Sequence, residues 1–248
     1  MEDNERVSGA GLEEVEVDEV EIEELARRGE RPPRAKRYVI RVDKEKYTVH
    51  SPTITGAQIL ALAGKTPDKF KLYQHKRGQQ PALIGPTDVV DLREPGLERF
   101  TTMPKDTTEG RVSAALGLRR DFRLPTTDEE YLDALGLPWE TAKDGGSLWL
   151  LIHDWKVPSG YKVERVSLAM LIPPQYSDAQ IDMVYFKPAL ARADGQPIRN
   201  LSPQMICGDT WQRWSRHRTG QNPWRPGIDD VASHLGLVDE WLRREFGG

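Results

Sequence analysis

Short runs in which apolar and polar residues alternate dominate the chain from Tyr38 to Phe186, and only three stretches carry helical spacing. Alternation is the period of a strand half-buried on one face, so the chain is confined to an α+β fold with few helices. The runs fall into two blocks separated by a segment from Pro104 to about Arg119 that has neither period, which places a linker at 106–118. Two modest domains fit 248 residues.

In the first block Tyr38, Ile40 and Val42 alternate with more polar neighbours, Asp43-Lys44 supplies a turn, and Tyr47 and Val49 resume the alternation, which predicts a β-hairpin. Thr55 is placed to cap a short helix closed by Gly64, with Ile59, Leu62 and Ala63 on one face. Strands are predicted around Phe70 to Gln74, Ala82 to Ile84 with Val89 to Leu92, and Leu97 to Thr101. Hairpin, helix and further strands in that order make a β-grasp unit, here residues 36–105.

The second block, 119–248, opens with a helix: Thr127 and Glu130 have capping-box spacing, and Tyr131, Leu132 and Leu135 form an apolar stripe up to Gly136. Four strands are predicted at Trp139 to Ala142, Ser147 to His153, Val163 to Ile172 and Ile181 to Phe186, separated by Gly-Gly, Pro-Ser-Gly and Pro-Pro-Gln turns. They read as an antiparallel meander. A long loop follows, and Val231, Leu235, Val238, Leu242 and Phe246 then define an amphipathic closing helix.

Charge divides the chain unevenly. Residues 1–30 hold twelve acids against Arg6, Arg27 and Arg28, while the rest carries 27 acids and 32 bases. From Glu13 to Glu24 the acids are interleaved with Val and Ile, so residues 1–35 read as a disordered acidic tail with a basic hinge at Arg31 to Arg37, or as an arm that folds onto a basic surface. No apolar run approaches the length of a membrane span and the N-terminus lacks a signal-peptide pattern, so a cytoplasmic protein is expected. The one cysteine, Cys207, cannot form an internal disulfide, and no Cys/His cluster has the spacing of a metal site. No cofactor is implied.

The richest chemistry lies in Cys207 to Pro226, CGDTWQRWSRHRTGQNPWRP, where Trp211, Trp214 and Trp224 alternate with Arg213, Arg216, Arg218 and Arg225 around Ser215 and His217. Trp and Arg anchor interfaces and bind planar or anionic groups, and Ser, Cys and His perform acyl chemistry. Taken alone, Ser215 reads as a loop serine. A basic, tryptophan-rich loop also has nucleic-acid chemistry, but the acidic segment opposes it and no nucleic-acid motif accompanies it.

The residues carry two resemblances. Tyr38 to Val49, Ile54-Thr55-Gly56 leading into Leu60 to Gly64, Val90-Asp91-Leu92 and Glu98-Arg99-Phe100 resemble the bacterial multiubiquitin type of ubiquitin-like domain. Ile172-Pro173-Pro174-Gln175-Tyr176, Trp224-Arg225-Pro226, Tyr131 to Gly136, Leu150 to His153, Ala179 to Tyr185, Ala193-Asp194-Gly195 and Trp211 to Arg218 resemble the prokaryotic family E of ubiquitin-conjugating proteins. The first resemblance implies a modifier that ends in glycine, with Gly110 a possible processing point or an ordinary linker glycine. The second implies a carrier of the ubiquitin-conjugating fold. Together they imply a bacterial conjugation pathway: an activating-type enzyme, a ubiquitin-like modifier in cis or in trans, a modifier-removing peptidase, target proteins and a role in antiphage defence.

In the eukaryotic relatives the reactive cysteine lies about eight residues before the Trp of Trp-x-Pro. Ser215 lies nine residues before Trp224 and Cys207 seventeen before it, so the spacing favours Ser215 and leaves Cys207 as the alternative nucleophile. The relatives' His-Pro-Asn is missing, and Asn200 is the stand-in for its asparagine. A serine hydroxyl needs a base and oxyanion stabilisation. His217 shares a face with Ser215 if the backbone is extended, and Arg213, Arg216, Arg218, Trp211 and Trp214 are candidate contacts for the modifier tail or the oxyanion. The expected activity is that of an acyl transferase, with a non-catalytic scaffold as the other reading. His153 and His234 read as structural residues.

Overall fold

The computed structural model of the chain describes residues 17–105 and 117–246. Its first unit starts earlier than the hairpin. Val17–Glu21 forms a strand, β1, parallel to β2 (Ala35–Val42), and Ile22–Arg28 forms a short helix, α1, ended by Gly29 in the left-handed region. Residues from 17 onward, expected to belong to the tail, are therefore built into the domain. Its acids are neutralised locally: Asp18 pairs with Lys36, Glu19 with Arg37 and Glu21 with Lys46. Glu23 accepts two hydrogen bonds of 2.8 Å from buried Arg41, while Val20, Ile22 and Ala26 are buried. Neutralisation removes the repulsion that would otherwise keep the apolar residues from ordering.

β3 (Glu45–Val49) completes the hairpin with β2, in the register Tyr38 opposite Val49 to Val42 opposite Glu45. After β4 (Thr53–Thr55), Thr55 caps α2 (Gly56–Leu62) in a capping box with Gln58. Gly56 is required by closeness, since a Cβ there would lie 2.3 Å from the Gly85 carbonyl oxygen. β5 (Phe70–Lys76), β6 (Ala82–Ile84), β7 (Val89–Asp91) and β8 (Leu97–Pro104) follow. The main sheet runs β1-β2-β8-β5-β6, with β3 also on β2, and β4 pairs β7. One core unites Ile22, Tyr38, Ile40, Ile59, Leu60, Leu72, Leu92 and Phe100. Gly110 lies outside the described residues.

The second unit opens with α3 (Thr126–Ala134), which has no side-chain cap. The expected Thr127 and Glu130 box does not form because the helix starts at Thr126, with Pro125 at the N-cap and Thr127 already inside the first turn. The Thr126 hydroxyl lies 2.8 Å from the Thr102 hydroxyl, and Glu129 accepts from Arg123 and from the Leu124 N–H. β9 (Trp139–Asp144), β10 (Ser147–Lys156), β11 (Arg165–Ile172) and β12 (Asp182–Lys187) make the expected meander. What was read as an irregular loop contains a further hairpin, β13 (Leu201–Ile206) and β14 (Asp209–Trp214), and β14 adds to the meander beside β12. The sheet order is β13-β14-β12-β11-β10-β9. α4 (Val231–Arg244) closes the unit, capped reciprocally by Asp230 and Ser233.

Alternation along the strands sorts this sheet into two faces. Leu150, Ile152, Leu168, Met170, Val184, Phe186 and Trp214 pack under α4. Trp149, Leu151, Ala169, Tyr185, Ile206 and Trp211 form a smaller core on the opposite face. The two units together make an α+β chain with few helices and many strands.

Candidate active site

The β12–β14 pairing sets Val184 opposite Trp214, so the start of β12 and the residue after β14 share one end of the sheet. Ser215 and Asp182 stand there. The Ser215 N–H donates to the Asn200 carbonyl at 3.0 Å, which ends the hairpin and releases the chain into an irregular loop. In that loop side chains alternate. Arg216 turns inward, donating to Glu245 at 2.7 Å with its guanidinium 4.8 Å from the centre of the Trp214 ring. Arg218, whose side chain is 4% exposed, lies over Trp224 at 4.9 Å and pairs with Asp229 at 3.6 Å. Two buttressed arginines thus leave His217 projecting between them.

His217 Nε2 lies 2.8 Å from Ser215 Oγ, and its Nδ1 lies 2.9 Å from both carboxylate oxygens of Asp182. A carboxylate only accepts, so Nδ1 carries the proton and Nε2 keeps the lone pair that receives the serine O–H. The wiring is hydroxyl to imidazole to carboxylate, with all three side chains open to solvent in part. It matches the arrangement by which a base-oriented imidazole makes a serine nucleophilic.

Behind it, His234 on α4 donates from Nε2 to the Met183 carbonyl at 2.9 Å, next to Asp182. Burial pushes the His234 imidazole down to about 4, so it stands neutral and serves as a donor. Met183 itself has φ of 61°, at the irregularity where the β11–β12 register shifts, and the hydrogen bond holds that bulge next to Asp182.

The structure distributes the other candidates differently. Trp211 and Trp214 are buried on opposite faces of the sheet, so the contact role expected of them gives way to packing. Arg213 donates to Ser202 at 2.9 Å, and with Arg216 and Arg218 engaged as described, these guanidiniums brace the loop instead of converging on Ser215. Cys207 sits in the β13–β14 turn with φ of 52°, its N–H donating to Asp144 at 2.7 Å. That is the far end of the hairpin, roughly 20 Å along β14 from Ser215 at strand spacing. Asn200 faces Ser215 across the hairpin end, through its carbonyl. Asp182 was missed by the sequence reading, although it stands in the quoted Ala179 to Tyr185 segment.

Among the described residues no group of three His, Cys, Asp or Glu side chains is placed to hold a metal ion, and no helix is long and apolar enough to cross a membrane. The multiubiquitin family model matches residues 38–105, and that of prokaryotic E2 family E matches 124–245. The chain joins a multiubiquitin domain to a prokaryotic E2 family E domain. The Ser215, His217 and Asp182 chain lies wholly within the family E half. No curated protein and no solved structure matches the chain.

Proposed function

We propose that the family E half is an oxyester carrier in a bacterial conjugation pathway. Ser215 Oγ attacks the thioester that joins a modifier's C-terminal glycine to an activating enzyme. The Oγ proton passes to His217 Nε2, the Oγ–carbon bond forms, the carbon–sulfur bond breaks, and the departing thiolate takes the proton back. In the second step a target amine attacks the ester, His217 accepts its proton and returns it to the Ser215 alkoxide. Asp182 keeps Nδ1 protonated and steadies the imidazolium in both steps. Because the Ser215 N–H is occupied by the Asn200 carbonyl, oxyanion donors must come from elsewhere, and the Asn200 side-chain amide, one residue before β13, is the candidate.

The observation that carries this reading is the unbroken hydrogen-bonded chain of 2.8 and 2.9 Å from Ser215 through His217 to Asp182. The test mixes the full chain with its activating enzyme, modifier, ATP and magnesium and reads adducts by intact mass. The expected adduct is resistant to thiol, cleaved by hydroxylamine and absent in Ser215→Ala. An adduct lost only in Cys207→Ala would transfer the chemistry to the thiol, and no adduct in any variant would leave a scaffold.

A further inference from the structure

Resting on that reading, we propose that the ubiquitin-like half is a built-in positioning subunit for the Ser215 relay, acting through a charged clamp on Asp178. Asp178 belongs to the family E half, in the tight turn before β12, four residues ahead of Asp182. Its carboxylate is gripped from the other domain by two side chains. His75 Nδ1 on β5 lies 3.0 Å from one oxygen and Arg99 on β8 donates to the other. His75 is 3% exposed and Arg99 2% exposed, although both belong to a domain whose own core is complete without them.

Buried charge pairs stabilise weakly and fix geometry well, since desolvation offsets most of their attraction while misalignment is heavily penalised. A clamp of this chemistry is suited to holding a segment in place. It reaches both strands of the relay. On one side the Asp178 turn runs directly into Asp182. On the other, the Ser177 carbonyl accepts from Trp224 Nε1 at 3.0 Å, and the Trp224 ring carries Arg218, the neighbour of His217. Arg41 of the ubiquitin-like half donates to the Gly227 carbonyl just beyond. There the two guanidinium side chains lie so close on the Gly227 backbone that a Cβ at Gly227 would stand 2.4 Å from Arg41 Nη2 and 2.5 Å from Arg99 Nε. Lys44 adds a pair with Asp230, the cap of α4, the helix that presents His234 to Met183. The Asp178 turn, Gly227 and the cap of α4 are thus each touched by the other domain.

The full-length chain with nitrogen-15 labelled histidine tests this. In the intact protein His217 should give the Nδ1–H tautomer in long-range nitrogen–proton spectra. Asp178→Asn should shift His217 toward a tautomer mixture and slow formation of the Ser215 adduct about tenfold to a hundredfold, the range expected when reacting groups move by an ångström. In an Asp182→Asn background the same change should slow it by less than about twofold, because the position it secures is already lost. A general loss of folding would slow both backgrounds alike. His75→Gln, which weakens the grip on Asp178 from the ubiquitin-like side and leaves the family E half unaltered, should reproduce the tautomer shift and serves if Asp178→Asn does not fold. An unchanged His217 tautomer in both folded variants would overturn the proposal. Should the parent chain form no adduct, the carrier reading falls, while the tautomer experiment still decides the positioning role.

Discussion

The family E half contains two chains of serine, histidine and carboxylate, on opposite ends of one sheet, and their surroundings differ. In the first, Ser215 follows the last residue of β14, His217 projects from an irregular loop and Asp182 faces it. In the second, His153 on β10 lies 2.9 Å from Ser167 Oγ on β11 and 3.1 Å from Glu140 on β9. The difference is in what surrounds the same wiring. Ser167 sits inside the ladder, opposite Lys187, where both neighbouring strands fix its backbone, whereas Ser215 opens an irregular loop. Glu140 is also gripped by Arg119, which donates from Nε at 2.8 Å and from Nη2 at 3.1 Å. Burial opposes its ionisation, but Arg119 outweighs burial and holds the carboxyl at about 2. A carboxylate so stabilised has little left to offer an imidazolium. Hydrogen-bond order alone therefore does not identify a nucleophile; the backbone around the serine and the partners of the carboxylate do.

Substitution at the two carboxylates separates them most sharply. Asp182→Asn should lower the rate of Ser215 adduct formation by roughly a thousandfold, as expected when the orienting carboxylate of such a chain is lost, while barely altering thermal unfolding. Glu140→Gln should reverse the pattern, costing about 2 kcal/mol of stability by chemical denaturation through the loss of Arg119 and leaving adduct formation within about twofold of the parent. An equal effect of both on the adduct would erase the distinction.

The pH dependence of stability offers a second contrast, between Glu140 and His234. Both have folded-state values depressed below their ordinary ones, so each contributes stability at higher pH that is lost as pH falls. For His234 the loss runs from about pH 6.5 to 4 and amounts to about 3 kcal/mol. For Glu140 it runs from about 4.5 to 2 and is smaller, about 1 to 2 kcal/mol after solvent screening. His234→Gln should flatten the upper window in denaturation curves and leave the lower one intact. Asp128 runs the other way. Burial raises its carboxyl to about 7, so its contribution is full near pH 4 and is lost as pH rises to 7, and Asp128→Asn removes that opposing slope. The smallest effect is expected of Ser167→Ala, below about 1 kcal/mol with no change in the adduct. A loss of adduct there would mean that the second chain takes part.

Much of this was legible along the chain because it depends on local spacing. The hairpin at Tyr38 to Val49, the Thr55 cap, the meander and the closing helix all follow from periods of two or three to four. His217 was also legible, since two residues along an irregular or extended backbone share a side. Asp182 was not, because its meeting with His217 requires β14 to lie beside β12, and that pairing depends on a hairpin whose residues looked like a costly loop. Trp211 and Trp214 misled for the same reason: inside a strand a tryptophan fills a core, whereas in a loop it would face a partner. The acids of Asp18 to Glu23 pointed to disorder, until their basic partners on β2 and β3 are counted with them.

The polar seam between the halves also bears on synthesis. On the ribosome the ubiquitin-like half is complete roughly 70 residues before Asp178 leaves the exit tunnel, and domains fold as units in the order they emerge. Through that interval Arg99 and the Nδ1 of His75 lack their Asp178 partner, and water can solvate them. Had the seam been apolar, the waiting half would present an adhesive patch to every neighbouring nascent chain. A polar seam gives the half-made molecule no apolar face there to bury against a neighbour.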